Sequence, residues 1–274
     1  MAPFALACSH AEPSNPADGV PPVARRRSVV AAAAASAASR FPARAARIPR
    51  PGAIGIPDDA LQAVVVTTDT WKSHAGLLER FVRAEIGGAW SPAPLARADV
   101  VLGRYGLAWG RGLHPDRLDG PVKSEGDQRS PAGVFDLGEA RGYAKEPPAG
   151  TTWPFSHSGA HYRCVDNPRS DAYNTFIPTR GQPLPRSVGV ASRETVFELM
   201  VFVLHNTSPV QRGAGSCVFL HVWANPGTPT QGCIGMDRAN LRDLLSWLNL
   251  EHRPVLVQLP REERRRRAAD WRLP

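Results

Sequence analysis

The chain has no run of apolar residues long enough to span a bilayer, so its sequence offers no transmembrane helix. Its four cysteines, at positions 8, 164, 217 and 233, form no CxxC pair, which leaves zinc-ribbon and thioredoxin chemistry without support. There is no Walker loop and no dinucleotide-binding glycine fingerprint. Asp166 and Asp171 lack the paired spacing that a glycosidase needs. No internal repeat is visible, so a solenoid is not expected.

What is present begins with an uneven charge. The formal net charge is +8 over 274 residues. Residues 1–57 hold seven Arg and two acids, and residues 261–274 hold six Arg and three acids, whereas 58–260 balance twenty basic against twenty acidic side chains. A nucleic-acid-binding domain would carry the excess on its body, so no nucleic-acid partner is expected. The reading is a leader or disordered extension over 1–57, a catalytic body over 58–260 and a solvated basic tail over 261–274. Within the leader, Arg25-Arg26-Arg27 precede Ser28-Val29-Val30 and an alanine-rich run to Ala38. Small residues at Ala35-Ser36-Ala37 complete the ingredients of a secretory signal. A periplasmic or cell-envelope location is therefore expected. A disordered extension, an organelle transit peptide or a misplaced start would read similarly, and without a working signal the chain stays cytoplasmic.

The body reads as α+β, mostly β, with short strands and long loops. Ala63–Thr68, Val100–Leu102, Leu199–Leu204, Cys217–Val222 and Val255–Leu259 are apolar or β-branched runs expected as strands. Leu77, Leu78, Phe81 and Val82 fall at helical spacing, which predicts a short helix there. Leu241, Leu244, Leu245 and Leu248 predict an amphipathic helix over 238–249, with Asp237 as its N-cap.

One segment carries chemistry. His221 closes a predicted strand, and Thr230-Gln231-Gly232-Cys233 follow after a loop with Pro226, Gly227 and Pro229. A free thiol titrates near ~8.5, so a nucleophilic Cys needs a base, and a rigidly held imidazole can take its proton. Gly232 allows a tight turn before the sulfur, and backbone N–H groups near Gly232 and Cys233 are expected to face an oxyanion. The bland alternatives are a buried apolar Cys and a core His, and spacing alone favours them.

The segment resembles the signature of the L,D-transpeptidase (YkuD-like) catalytic domain family: a strand-borne His, a short loop, then Ser/Thr-x-Gly-Cys. Ser130-Pro131-Ala132-Gly133-Val134-Phe135 resembles the family's Thr-Pro-x-Gly-x-Phe element. Lys123-Ser124-Glu125-Gly126-Asp127, Tyr173-Asn174 and Gly215-Ser216-Cys217-Val218-Phe219-Leu220-His221 resemble elements of a bacterial subgroup. The resemblance implies the YkuD-like fold, Cys233 as nucleophile, and His221 as base and later acid. It further implies loop support from Thr230 and Gly232, and substrate contacts from Gln231, Asn206 and Ser216. The implied substrates are peptidoglycan stem peptides, joined in 3→3 cross-links without a cofactor. Hydrolysis, as in an L,D-carboxypeptidase, lipoprotein attachment, and a non-catalytic wall-binding module remain alternatives. Two departures stand out: Gly235 replaces the usual Arg two residues after the Cys, and Gln231 replaces a frequent His.

The remaining candidates read as structural. His157, His161 and Cys164 have a metal-compatible spacing but no fourth ligand, so no metal is expected. His205 is expected to be structural. Lys123, Glu125, Asp127 and Arg129 read as a charged loop. Cys164 and Cys217 are expected to be unreactive, and a disulfide between them is left open. His221 is expected to need a backbone carbonyl to fix its tautomer, because no acidic partner is placed by sequence.

Overall fold

A computed structural model of the chain describes residues 55–116, 118–158, 162–178, 187–189 and 195–274. The leader reading, apart from residues 55–57, and His161 lie outside the described residues. The continuous apolar runs become strands because both of their faces are covered. Among the described residues the strands are β1 (Gln62–Thr68), β2 (Ala75–Val82), β3 (Ser91–Val101), β4 (Leu107–Trp109) and β5 (Ser130–Gly142). They continue with β6 (Phe155–His157), β7 (Tyr162–Val165), β8 (Phe176–Pro178), β9 (Ser187–Gly189) and β10 (Leu199–Val203), then β11 (Phe219–Val222), β12 (Ile234–Met236) and β13 (Val255–Pro260). Two α-helices accompany them, α1 (Arg238–Trp247) and α2 (Arg261–Arg267). The mostly-β expectation holds.

Eight strands pair in the order β10, β11, β12, β3, β2, β1, β13, β5, and β5 pairs back onto β10. The ring is therefore closed, which removes open sheet edges from it. The small sheet β8–β7–β9 stands apart from the ring.

Alternation along β10, β11 and β12 separates two clusters. Leu199, Val201, Val203, Leu220, Val222, Ile234 and Met236 join the main core, together with Leu241, Leu244 and Leu245 of α1. Burying each such Leu stabilises the fold by roughly 1.5–3 kcal/mol. Asp237 caps α1 by accepting from Ala239 N at 2.8 Å, as its position predicts. The alternate residues Met200 and Phe219 form a second cluster with Cys164 and Cys217, against which Cys233 packs.

Two expectations are corrected. Residues 75–82 form β2, not a helix: their backbone pairs with β1 on one side and β3 on the other, and this pairing overrides the helical spacing of the apolar residues. Residues 261–274 are not a solvated tail. Trp271 is 1% exposed, its carbonyl accepts from Ile56 N, and the Arg267 guanidinium lies 5.0 Å from the Trp109 ring and 4.8 Å from that of Trp271. Arg264 pairs with Glu79 at 2.9 Å. Arg261, Arg264 and Arg272 are held by acids of the body and Arg267 by the Trp109 ring, which a count of net charge does not reveal.

Candidate active site

The loop from Thr230 to Cys233 is fixed from both ends. Thr230 N donates to Leu102 O and Arg104 N donates to Thr230 O, which ties the loop to the end of β3. The Cys233 carbonyl accepts two hydroxyls, Thr230 Oγ1 at 2.7 Å and Ser130 Oγ at 2.8 Å. Ser130 is fully buried, and its oxygen also accepts from Gly103 N. Both hydroxyls hold the Cys233–Ile234 peptide plane, so they set the direction of the adjacent thiol. Ser130 was missed as a site residue because its partner lies 103 positions away, although its motif was visible.

Gly232 has φ +137°, a conformation that side-chain-bearing residues rarely adopt, and a Cβ there would come 3.0 Å from Arg129 O. Its N–H donates to Thr230 Oγ1 at 3.1 Å, so this N–H closes the loop rather than facing an oxyanion.

Strand register sets the relation between His221 and Cys233. β11 and β12 are parallel, with Leu220 opposite Ile234 and His221 opposite Gly235. Cys233 leads into β12 and packs against the cluster that holds Phe219. Alternation carried one residue back from β12 puts Cys233 on the face of Gly235, the residue opposite His221. His221 is 7% exposed, and its Nδ1 lies 2.8 Å from Val222 O. The Val196 carbonyl also lies against the ring, and a carbonyl only accepts, so Nδ1 carries the proton in its hydrogen bond to Val222 O. This is the tautomer-fixing carbonyl that the sequence called for.

The electrostatics favour neutral groups at rest. Burial pushes the Cys233 thiol up to about 11, against smaller opposing effects from the Phe219 backbone N–H and the Lys123 charge. Burial likewise lowers His221, with the carbonyls of Val222 and Val196 pulling the other way. The thiol donates to Cys217 O at 3.5 Å and not to the imidazole. At neutral pH both groups are thus uncharged, the thiol protonated and the imidazole neutral.

Cys217 has φ +56°, and two bonds hold it there. Its N–H donates to Asn174 Oδ1 at 2.9 Å, and its sulfur is bonded to Cys164 of β7. The disulfide left open by the sequence is present, and it fastens the small sheet beside Cys233. Cys233 is the free cysteine among the described residues. No group of three or more metal-capable side chains occurs among the described residues.

The other predicted contacts are placed as follows. Gln231 is exposed at the mouth of the loop. Ser216 Oγ donates to Glu125 Oε2 at 2.7 Å, an oxygen shared with Tyr173 OH. Asn206 is 1% exposed, and its amide bonds Gln211 and Gly215, so it supports the loop instead of lining a pocket. His205 is buried, accepts from Arg111 N and lies 3.0 Å from Ala214 O. Lys123 is buried and paired with Asp127, and its chain packs 3.1 Å from where a Gly215 Cβ would sit. At Gly235 a Cβ would come 2.9 Å from Val101 Cγ2 and 3.1 Å from Trp223 Cβ, so a larger residue there needs its neighbours to move.

The family model described as the L,D-transpeptidase catalytic domain (YkuD) matches residues 93–257. The chain belongs to this family. The match spans the Ser130 motif, His221 and the Cys233 loop. Comparison with curated proteins yields no match, and neither does comparison with solved structures. An L,D-transpeptidase domain is tied to peptidoglycan chemistry, and its acyltransferase class agrees with a cysteine and an imidazole sharing one face.

Proposed function

We propose that the chain is a cysteine-dependent L,D-transpeptidase acting on peptidoglycan stem peptides in the periplasm or cell envelope. The observation that carries this reading is the placement of His221 and Cys233 on one face of adjacent strands, inside the family match. Substrate entry turns the thiol away from Cys217 O. His221 Nε2 takes its proton as the sulfur attacks the carbonyl of the diamino-acid residue at the third stem position. The tetrahedral intermediate collapses to a thioester, and the terminal D-Ala leaves with the proton from His221. The side-chain amine of a second stem then attacks the thioester, His221 again handling the proton, and a 3→3 cross-link results. Arrival of water instead of an amine gives L,D-carboxypeptidase activity from the same thioester.

The test is incubation of purified protein with tetrapeptide muropeptides and mass analysis of the products. Cross-linked dimers support transfer, and shortened tripeptides alone assign hydrolysis. Neither product from wild-type protein, or equal product from Cys233→Ala, overturns the reading.

A further inference from the structure

Cys217 holds the Cys233 thiol, and its own conformation has to be held. Its carbonyl accepts that thiol at 3.5 Å. Its φ of +56° lies in the left-handed region, which a residue with a side chain seldom enters unaided. Asn174 Oδ1 takes its N–H at 2.9 Å, and the Asn174 amide is itself fixed by the carbonyls of His205 and Asn206. The bond to Cys164 holds its side chain. The residue that orients the thiol is therefore tethered to β7.

The small sheet depends on the same tether. β7 pairs with β8 and β9, and among the described residues no strand of the ring pairs with any of the three. Its approach to the ring is made by side chains. Phe176 of β8 lies 6.4 Å from Phe219, and Cys164 shares an apolar cluster with Met200, Cys217 and Phe219, against which Cys233 packs. The same cluster takes in Phe197, whose ring lies 5.3 Å from that of His221. The main core lies on the other face of these strands and includes neither cysteine of the bond. Without the bond the Asn174 contacts remain, but β7 keeps only its apolar contacts beside Cys233.

We propose that the Cys164–Cys217 bond is a maturation latch: the ring folds without it, but the Cys233 site is assembled only after this disulfide forms. This rests on the proposed function and adds the condition under which it operates. In closing, the two thiols give up two protons and two electrons to a disulfide-bearing oxidant, which leaves as a dithiol. Oxidants of that class prevail outside reducing compartments, so a chain still in the cytoplasm is folded but silent. Relaxation of Cys217 from its left-handed φ turns its carbonyl from the thiol, and β7 parts from Phe219. The direction of the thiol and the wall beside it are lost together. Cys164 is fully buried and Cys217 is 5% exposed, so the closed bond is shielded from reductants. The latch is set once and is not cycled.

The test compares the oxidised full chain with Cys164→Ala. Three readouts are taken: a urea transition, kcat/KM on tetrapeptide muropeptides, and alkylation of Cys233 by iodoacetamide followed by peptide mass mapping. Cys164→Ala is expected to keep a cooperative urea transition, which reports the ring. Its kcat/KM should fall by about tenfold or more, because the thiol is no longer aimed. Alkylation of its Cys233 at pH 7 should instead rise by about tenfold or more, since the burial that suppresses the thiolate is relieved. Native wild-type protein held with a phosphine reductant and no denaturant should keep both its bond and its activity. If Cys164→Ala is insoluble, wild-type chain refolded from urea under reducing conditions takes its place. Wild-type kcat/KM or unchanged Cys233 alkylation without the bond overturns the latch. Loss of the cooperative transition also overturns it, because the bond then staples the whole fold. Ready reduction of the native protein overturns it as well. Absence of turnover by the oxidised wild-type chain contradicts the proposed function itself.

Discussion

Alkylation of Cys233 should be slow at neutral pH and should keep accelerating well into the alkaline range. Its thiol is pushed from 9.0 up to about 11, so its thiolate fraction at pH 7 is about a hundredfold below that of an unperturbed cysteine, each pKa unit being a factor of ten. The imidazole is lowered, so it is neutral at pH 7 and supplies no positive charge to hold a thiolate. Limiting iodoacetamide followed by peptide mass mapping reads the rate at Cys233 apart from that at Cys8, while Cys164 and Cys217 are joined. The rate should climb by about tenfold per pH unit from 7 to 9 without a plateau. Lys123→Gln should slow it further at each pH, since Lys123 lowers the thiol pKa and its removal raises it. A rate that levels off below pH 8 would show a preformed thiolate–imidazolium pair and refute the neutral resting state.

Other expectations follow from the same contacts. Ser130→Ala should lower the rate of acyl-enzyme formation by about tenfold or more while KM changes little, because Ser130 is fully buried and acts through the Cys233 carbonyl. Stopped-flow acylation checks this, and an unchanged rate would remove the role. Trp271→Ala should cost about 3–5 kcal/mol in urea unfolding, since the ring is 1% exposed, whereas a solvated tail would cost almost nothing. Breaking the Cys164–Cys217 bond releases a separation of 53 residues, and chain entropy sets the loss near 4 kcal/mol, read as the shift in unfolding midpoint with and without reductant. Acidification should destabilise the fold: His114 and His205 are lowered to about 4 and about 3, so the unfolded state binds their protons first as pH falls below 6.5. Each then costs about 1.4 kcal/mol per pH unit until its own folded value is reached, while Asp136, raised by burial, opposes the trend through the acidic range. A thermal midpoint that stays flat from pH 6.5 to 4.5 would contradict this.

The sequence was most legible where one physical signal acted alone. β10, β11 and β13 are continuous apolar runs, and α1 has both a cap and an apolar stripe, so each stood out. Leu77, Leu78, Phe81 and Val82 fit a helical stripe, yet β1 and β3 on either side claim the backbone hydrogen bonds, and nothing local announces those partners. Arg-rich composition hid Trp271, whose burial depends on Ile56, Trp109 and Arg267 from distant segments. Cys233 and His221 were singled out by resemblance, since spacing alone favoured bland readings of both. Ser130, Asn174 and the Cys164 bridge were not, because each acts on the nucleophile through a contact of 43 to 103 residues' separation.

The central claim, that Cys233 forms the acyl-enzyme with His221 as its base, is tested most directly by intact-mass measurement after exposure to a carbapenem, an acylating inhibitor of this enzyme class. The account predicts one covalent adduct, mapped to Cys233. It predicts no adduct on Cys233→Ala, and formation slowed by about 10²–10⁴-fold in His221→Ala. A wild-type protein that stays unmodified, or an adduct that persists in Cys233→Ala, would contradict it.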